Sequence, residues 1–70
     1  MEIKPGIYQH YKGNKYKVLG MANHSETLEK MVVYQALYGD NEVWVRPASL
    51  WNEEVLLNGK TLKRFEYIGE

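Results

Sequence analysis

The sequence predicts an all-β fold: a small, SH3-like, partly open barrel of five or six antiparallel strands with one short helical turn. Three observations carry this. Short runs of β-branched and aromatic residues are punctuated by Gly and Asn, most sharply at Asn58-Gly59, the dipeptide of a type I′ hairpin. A flat sheet of this size would expose long edges, which a barrel reduces. The helix that an OB barrel places between its third and fourth strands is missing, which puts that fold second.

The elements follow in order. Gly6 to Tyr11 forms the first strand, opened by Ile7 and Tyr8, and Lys12-Gly13-Asn14 turns the chain because Gly and Asn both tolerate positive φ. Lys15 to Asn23 begins as clean alternation, with Lys15 and Lys17 on one side and Tyr16 and Val18 on the other. Leu19 and Met21 then bring apolar groups to the lysine side, so a bend or bulge is expected at Gly20. His24 to Glu29 is polar and aperiodic, a loop; Leu28 stands where a capping box would need Glu or Gln. Lys30 to Tyr38 is apolar on both faces and should lie inside the sheet. Gly39-Asp40-Asn41 is a hairpin turn, and Glu42 to Arg46 returns antiparallel. Pro47 to Asn52 reads as a single helical or 3₁₀ turn, since proline is accepted in a first turn. Glu53 to Leu57 and Lys60 to Ile68 make the last hairpin.

At 70 residues the chain is one domain, too short to hold separate substrate and catalytic domains. Any active site would be shallow unless a second subunit closed it. Aromatic residues make up 13%, which is how so thin a core reaches enough buried area. Nine basic and nine acidic side chains leave no surplus of cations. Non-specific nucleic-acid binding would then need a local patch, and a membrane surface is not an expected partner. No apolar run approaches the ~20 residues of a span. Met1-Glu2-Ile3-Lys4-Pro5 lacks the basic-then-apolar build of a secretion signal. Without cysteine there is no disulfide or thiolate chemistry, which suits a reducing cytoplasm.

Several segments, taken together and in order, are specific: Gly6-Ile7-Tyr8, His10-Tyr11-Lys12-Gly13-Asn14, His24-Ser25-Glu26-Thr27, Val33-Tyr34, Leu37-Tyr38-Gly39 and Trp44-Val45-Arg46-Pro47. The chain resembles, from Gly6 to near Phe65, the small bacterial proteins grouped as domain of unknown function 1653. The resemblance implies a compact β domain and no particular activity. That family's pattern has a Met-Phe pair where this chain has Leu50-Trp51, a difference expected to alter a surface contact.

Four constellations carry candidate chemistry. Tyr34, Tyr38, Trp44 and Arg46 come first, since a fixed guanidinium beside flat rings suits an anionic or planar group. A three-residue hairpin loop would set Tyr34 opposite Arg46, with Tyr38, Trp44 and Arg46 on one face. A four-residue loop would turn the tyrosines toward Val43 and Val45. The structural alternative makes Trp44 and a tyrosine core, with Arg46 covering a ring. His24-Ser25-Glu26-Thr27 is second: either a ligand loop or a turn that satisfies its own amides. His10, His24 and Glu26 are the third, without the spacing of a metal site; a hydrolytic triad at Ser25 lacks any sign of an oxyanion hole. Lys12, Lys15 and Lys17 with Tyr8, Tyr11 and Tyr16 are the fourth, either a track for single-stranded nucleic acid or a lysine face over a tyrosine face.

The expected function is a cytoplasmic, non-catalytic binding module without cofactor or metal. Its ligand is a small polar or anionic molecule, or a peptide, held in a groove of Tyr8, His10, His24, Ser25, Glu26, Tyr34, Tyr38, Trp44 and Arg46. RNA or nucleotide binding, or service as an accessory domain of a metabolic or nucleotide-processing enzyme, are the alternatives. Spare sheet edges make a homodimer an expected assembly.

Overall fold

The computed structural model describes residues 3–70; Met1 and Glu2, at the head of the N-terminal stretch read above, lie outside the described residues. The strands are β1 (Gly6–His10), β2 (Lys15–Asn23), β3 (Lys30–Ala36), β4 (Val43–Pro47), β5 (Glu54–Leu57), β6 (Lys60–Lys63) and β7 (Phe65–Gly69). The helical turn α1 (Ala48–Trp51) follows Pro47 directly. Five strands form one antiparallel sheet in the order β4-β3-β2-β1-β7, and β5-β6 is a separate hairpin. The all-β expectation holds, but the large sheet stays open, with β4 and β7 as its two edges.

Several sequence signals land where they were read. The register of β2 against β3 shifts between Val18 and Gly20, the bulge that re-aims the strand. Asn58 and Gly59 both take positive φ, 53° and 78°, as a type I′ turn needs. Strand β3 lies inside the sheet, paired on both sides.

Two boundaries differ. The final strand is broken at Arg64, giving seven strands among the described residues rather than five or six. The Arg64 N–H donates to the Glu53 carbonyl at 2.9 Å, and its own carbonyl accepts from the Tyr11 N–H at 3.0 Å. Those bonds pull one residue out of the ladder and turn Phe65 into the core. The second difference is the β3–β4 loop. Leu37 sends its N–H to the Lys15 carbonyl (3.0 Å) rather than across the hairpin, and the Ala36 N–H donates to the Glu42 carbonyl (2.9 Å). Residues 37–41 therefore make the loop, with positive φ at Gly39 and Asn41. It is longer than either length expected. Tyr34 consequently opposes Trp44, and Arg46 opposes Val32.

Opposed residues share a face, so Tyr8, Tyr16, Val18, Val32, Tyr34, Ala36, Trp44 and Arg46 all lie on the inner side. The core is Ile3, Tyr8, Val18, Val32, Ala48, Trp51 and Phe65. Trp51 is fully buried and stacks on Phe65, with centroids 4.0 Å apart and planes 2° from parallel. Tyr8 and Tyr34 close around it edge-on, at 5.4 and 5.0 Å. Burying a ring of about 150–250 Å² is worth roughly 4–6 kcal/mol at ~25 cal/mol/Å². The Leu50-Trp51 position is thus a core contact at Trp51, not the surface contact expected from the sequence.

Gly6 fixes how β1 meets β7. Its φ is +140°, and a Cβ there would lie 2.8 Å from Cε1 of Tyr67 and 2.9 Å from the Gly69 carbonyl oxygen.

Candidate functional site

Polar groups converge where the inner face meets the break between β6 and β7. Strand β4 carries Arg46, whose Nη2 donates to Oε1 of Glu53 at 3.3 Å and whose guanidinium lies 5.9 Å from the Phe65 ring centre. The break brings Arg64 to the same carboxylate: its Nε is 3.5 Å from Oε1, near enough to pair but not aligned as a hydrogen bond. Two guanidiniums therefore share one acid. The Nε–H groups of both Arg46 and Arg64 are buried with no hydrogen-bond partner, as is the indole N–H of Trp51 in the core beneath.

Around this pair stand aromatic side chains that also donate. Tyr16 and Tyr38 join hydroxyls at 2.8 Å, and the Tyr16 ring packs edge-on against Tyr34 (5.5 Å) and Phe65 (5.6 Å). Burial, then the hydrogen bond to Tyr38, pushes the Tyr16 phenol up to about 12. Burial raises Tyr34 as well, opposed by the charge of Arg46. Both phenols therefore stay neutral near pH 7 and keep their protons to donate. His10 sits against Phe65 at 5.0 Å. Its Nδ1 accepts the Lys12 N–H at 3.2 Å, so the neutral ring carries its proton on Nε2. Burial lowers the His10 pKa, and Arg64, Lys12 and Arg46 add to that by repulsion.

The structure places the expected residues unevenly. His10, Tyr34 and Arg46 join this cluster, and Tyr38 borders it through Tyr16. Trp44 shares the face but lies on the open edge, 51% exposed. Tyr8 is buried and gives its hydroxyl proton to the Lys4 carbonyl at 2.8 Å, so it belongs to the core. His24, Ser25 and Glu26 stand at the other end of β2 from His10, roughly 25–30 Å along a strand of this length. There the Nδ1 of His24 accepts the N–H groups of Glu26 (3.2 Å) and Thr27 (3.3 Å), and Oγ1 of Thr27 accepts that of Glu29 (3.2 Å). That segment is a turn closed on its own amides. Among the described residues no group of three or more acidic, His or Cys side chains is placed to hold a metal. Lys17 opposes Ile7 and Gln35 on the outer face while Tyr16 faces inward, so lysines and tyrosines do not share one track.

Sequence reasoning missed Glu53, Arg64, Tyr16 and Phe65 as members of the cluster. The Lys60-Thr61-Leu62-Lys63-Arg64-Phe65 run offers no Gly or Pro to announce the break that brings two of them in. A surface hollow of about 510 Å³ between the β1–β2 turn and β6 touches the cluster only at His10. Converging donors, not hollow size, mark the site.

Residues 6–67 match the family described as "Protein of unknown function (DUF1653)". A crystal structure of a DUF1653 protein from Bordetella bronchiseptica is 40% identical, with a TM-score of 0.89 over 97% of this chain and 90% of that one. A search of the curated proteins finds no match. The chain belongs to the DUF1653 family.

Proposed function

We propose that this DUF1653 member is a non-catalytic, cytoplasmic binding module that holds a small ligand, or the end of a peptide, by a carboxylate or phosphate group at the Arg46–Arg64 pair. One observation supports it above the others: two guanidiniums converge on the single carboxylate of Glu53, which leaves the Nε–H of each without a hydrogen bond. Buried donors are nearly always satisfied by protein or water, and a carboxylate or phosphate would satisfy two such charged donors together. Arg presents a planar fork that matches a carboxylate or phosphate. The neutral phenol of Tyr34 would donate to a second oxygen, and Nε2–H of His10 would orient the group. Trp44, on the same face, would meet an apolar or planar part of the ligand. Glu53 is the acceptor already in place, and a stronger anion would compete with it.

The test is a heteronuclear NMR titration with inorganic phosphate, with acetate and with a single-stranded oligonucleotide. Phosphate or acetate is expected to move resonances of His10, Tyr34, Arg46 and Arg64. Shifts confined to Lys15 and Lys17, seen only with the oligonucleotide, would reject the reading in favour of nucleic-acid binding.

A further inference from the structure

We infer that β4 is the seam of a homodimer in which two copies of this chain pair their β4 strands antiparallel, about a symmetry axis passing at Trp44. This inference does not depend on the anion site.

The ladder to β3 decides which way each main-chain group of β4 points. The Ala36 N–H donates to the Glu42 carbonyl, and the pairs Tyr34–Trp44 and Val32–Arg46 continue that register. In an antiparallel ladder, opposed pairs alternate between exchanging both bonds and exchanging none. Glu42, Trp44 and Arg46 therefore spend their main-chain groups on β3. Val43 and Val45 turn theirs to the open edge. Pro47, next on the outward side, has no N–H to leave unpaired there, which is where a strand tolerates proline.

The guards on that edge, inward Arg46 and Pro47, stand at one end of the strand and leave its middle open. Val43, Trp44 and Val45 are 55%, 51% and 60% exposed, and β4 contains no lysine. The opposite edge is protected: the β1–β7 register is bulged at Ile7/Tyr8, and the Lys4 ammonium sits 4.9 Å over the Tyr67 ring.

The strand is also complementary to itself, which selects a second copy over any other extended chain. With the axis at Trp44, Val43 of one copy opposes Val45 of the other. Those are the residues whose N–H and C=O face outward, so every such group of the pair finds a partner. Exposed Glu42 falls opposite Arg46 of the second copy, setting opposite charges across the seam beside the Arg46–Glu53 pair. The two Trp44 side chains meet in the close, non-hydrogen-bonded position. On the outer face Val43 and Val45 continue the apolar strip begun by Val33. The two inner faces become continuous.

Sedimentation equilibrium from low micromolar to millimolar protein tests this. The wild type is expected to show reversible dimerisation. Val45→Pro removes only an outward-facing N–H and leaves the β3 ladder whole, so it should weaken association by about tenfold or more with an unchanged circular dichroism spectrum. Glu42→Arg, outside the strand, should weaken it too by setting like charges opposite, and it decides the matter if the proline variant fails to fold. Ile68→Lys on β7 should leave association unchanged. A wild type that stays monomeric at millimolar concentration would overturn the inference. So would Val45→Pro and Glu42→Arg proteins that associate like the wild type, or an Ile68→Lys protein that falls apart.

Discussion

A histidine stands near each end of β2, His10 at the end of β1 and His24 just past Asn23, and the Nδ1 of each accepts main-chain N–H, yet the two regions differ in what is left over. At His24 the side chain, Thr27 and the backbone consume one another's hydrogen bonds, and Leu28 adds a donation to the His24 carbonyl at 2.9 Å. At His10 the neighbouring donors outnumber the acceptors: two arginines lean on one glutamate and still keep buried N–H groups unpaired. Polarity and a loop position did not separate these regions, since both are polar. The count of donors against acceptors does, and a surplus of buried donors is what a ligand can use.

The largest expected effect tests what lies beneath each region. Trp51 is fully buried beneath the arginine cluster, stacked on Phe65, so Trp51→Ala should lose about 3–5 kcal/mol in urea unfolding, most of the stability a chain this short can have. The loop has no such floor: Leu28 is 74% exposed, and Leu28→Ala should fall within about 0.5 kcal/mol of wild type.

Next comes binding. Arg46→Ala should weaken phosphate binding by roughly 1.5–3 kcal/mol in calorimetry, the range for a hydrogen bond to a charged group. His24→Ala should leave that affinity alone. An Arg46→Ala protein that no longer folds would make the cation a structural cover for Phe65 and erase the contrast.

A smaller effect belongs to the turn itself. His24→Ala removes the acceptor for Glu26 and Thr27 and should cost about 0.5–1.5 kcal/mol of stability by thermal unfolding.

The pH dependence of stability sharpens the groove end. The folded pKa of His10 lies below its ordinary 6.5, so the unfolded chain takes the proton first. Its stabilisation should be complete above pH 6.5 and decline as pH falls from there to the folded value. Tyr16 behaves oppositely. Its pKa rises from 10.0 to about 12, so the unfolded chain releases the proton first and stability should fall as pH climbs through that window. Tyr16→Phe should flatten the alkaline decline, and denaturant unfolding across pH measures it.

Most of the fold was legible because the turns carry their own chemistry. Asn58-Gly59, the bulge at Gly20 and the helical turn after Pro47 follow from which residues tolerate positive φ or lack an N–H. The β3–β4 register was not legible. Leu37 and Tyr38 look like strand, and only a tertiary bond from Leu37 to Lys15 removes them from the ladder. The break at Arg64 was hidden for the same reason: its main-chain partners, Glu53 and Tyr11, are distant in sequence. Arg46 could be read from the chain because it sits beside Trp44 in an alternating strand. Glu53 and Arg64 could not, since only that break carries them to it. Trp51 was misplaced because a helical turn this short shows no period to reveal its buried side.

The most direct test of the groove is calorimetric titration of inorganic phosphate into the wild type, Glu53→Gln and Arg46→Ala proteins. If Glu53 occupies an anion-receiving pair, Glu53→Gln should bind phosphate more tightly than wild type and Arg46→Ala should lose the binding. Equal affinity in all three, or loss of binding in Glu53→Gln with the fold intact, would contradict the account.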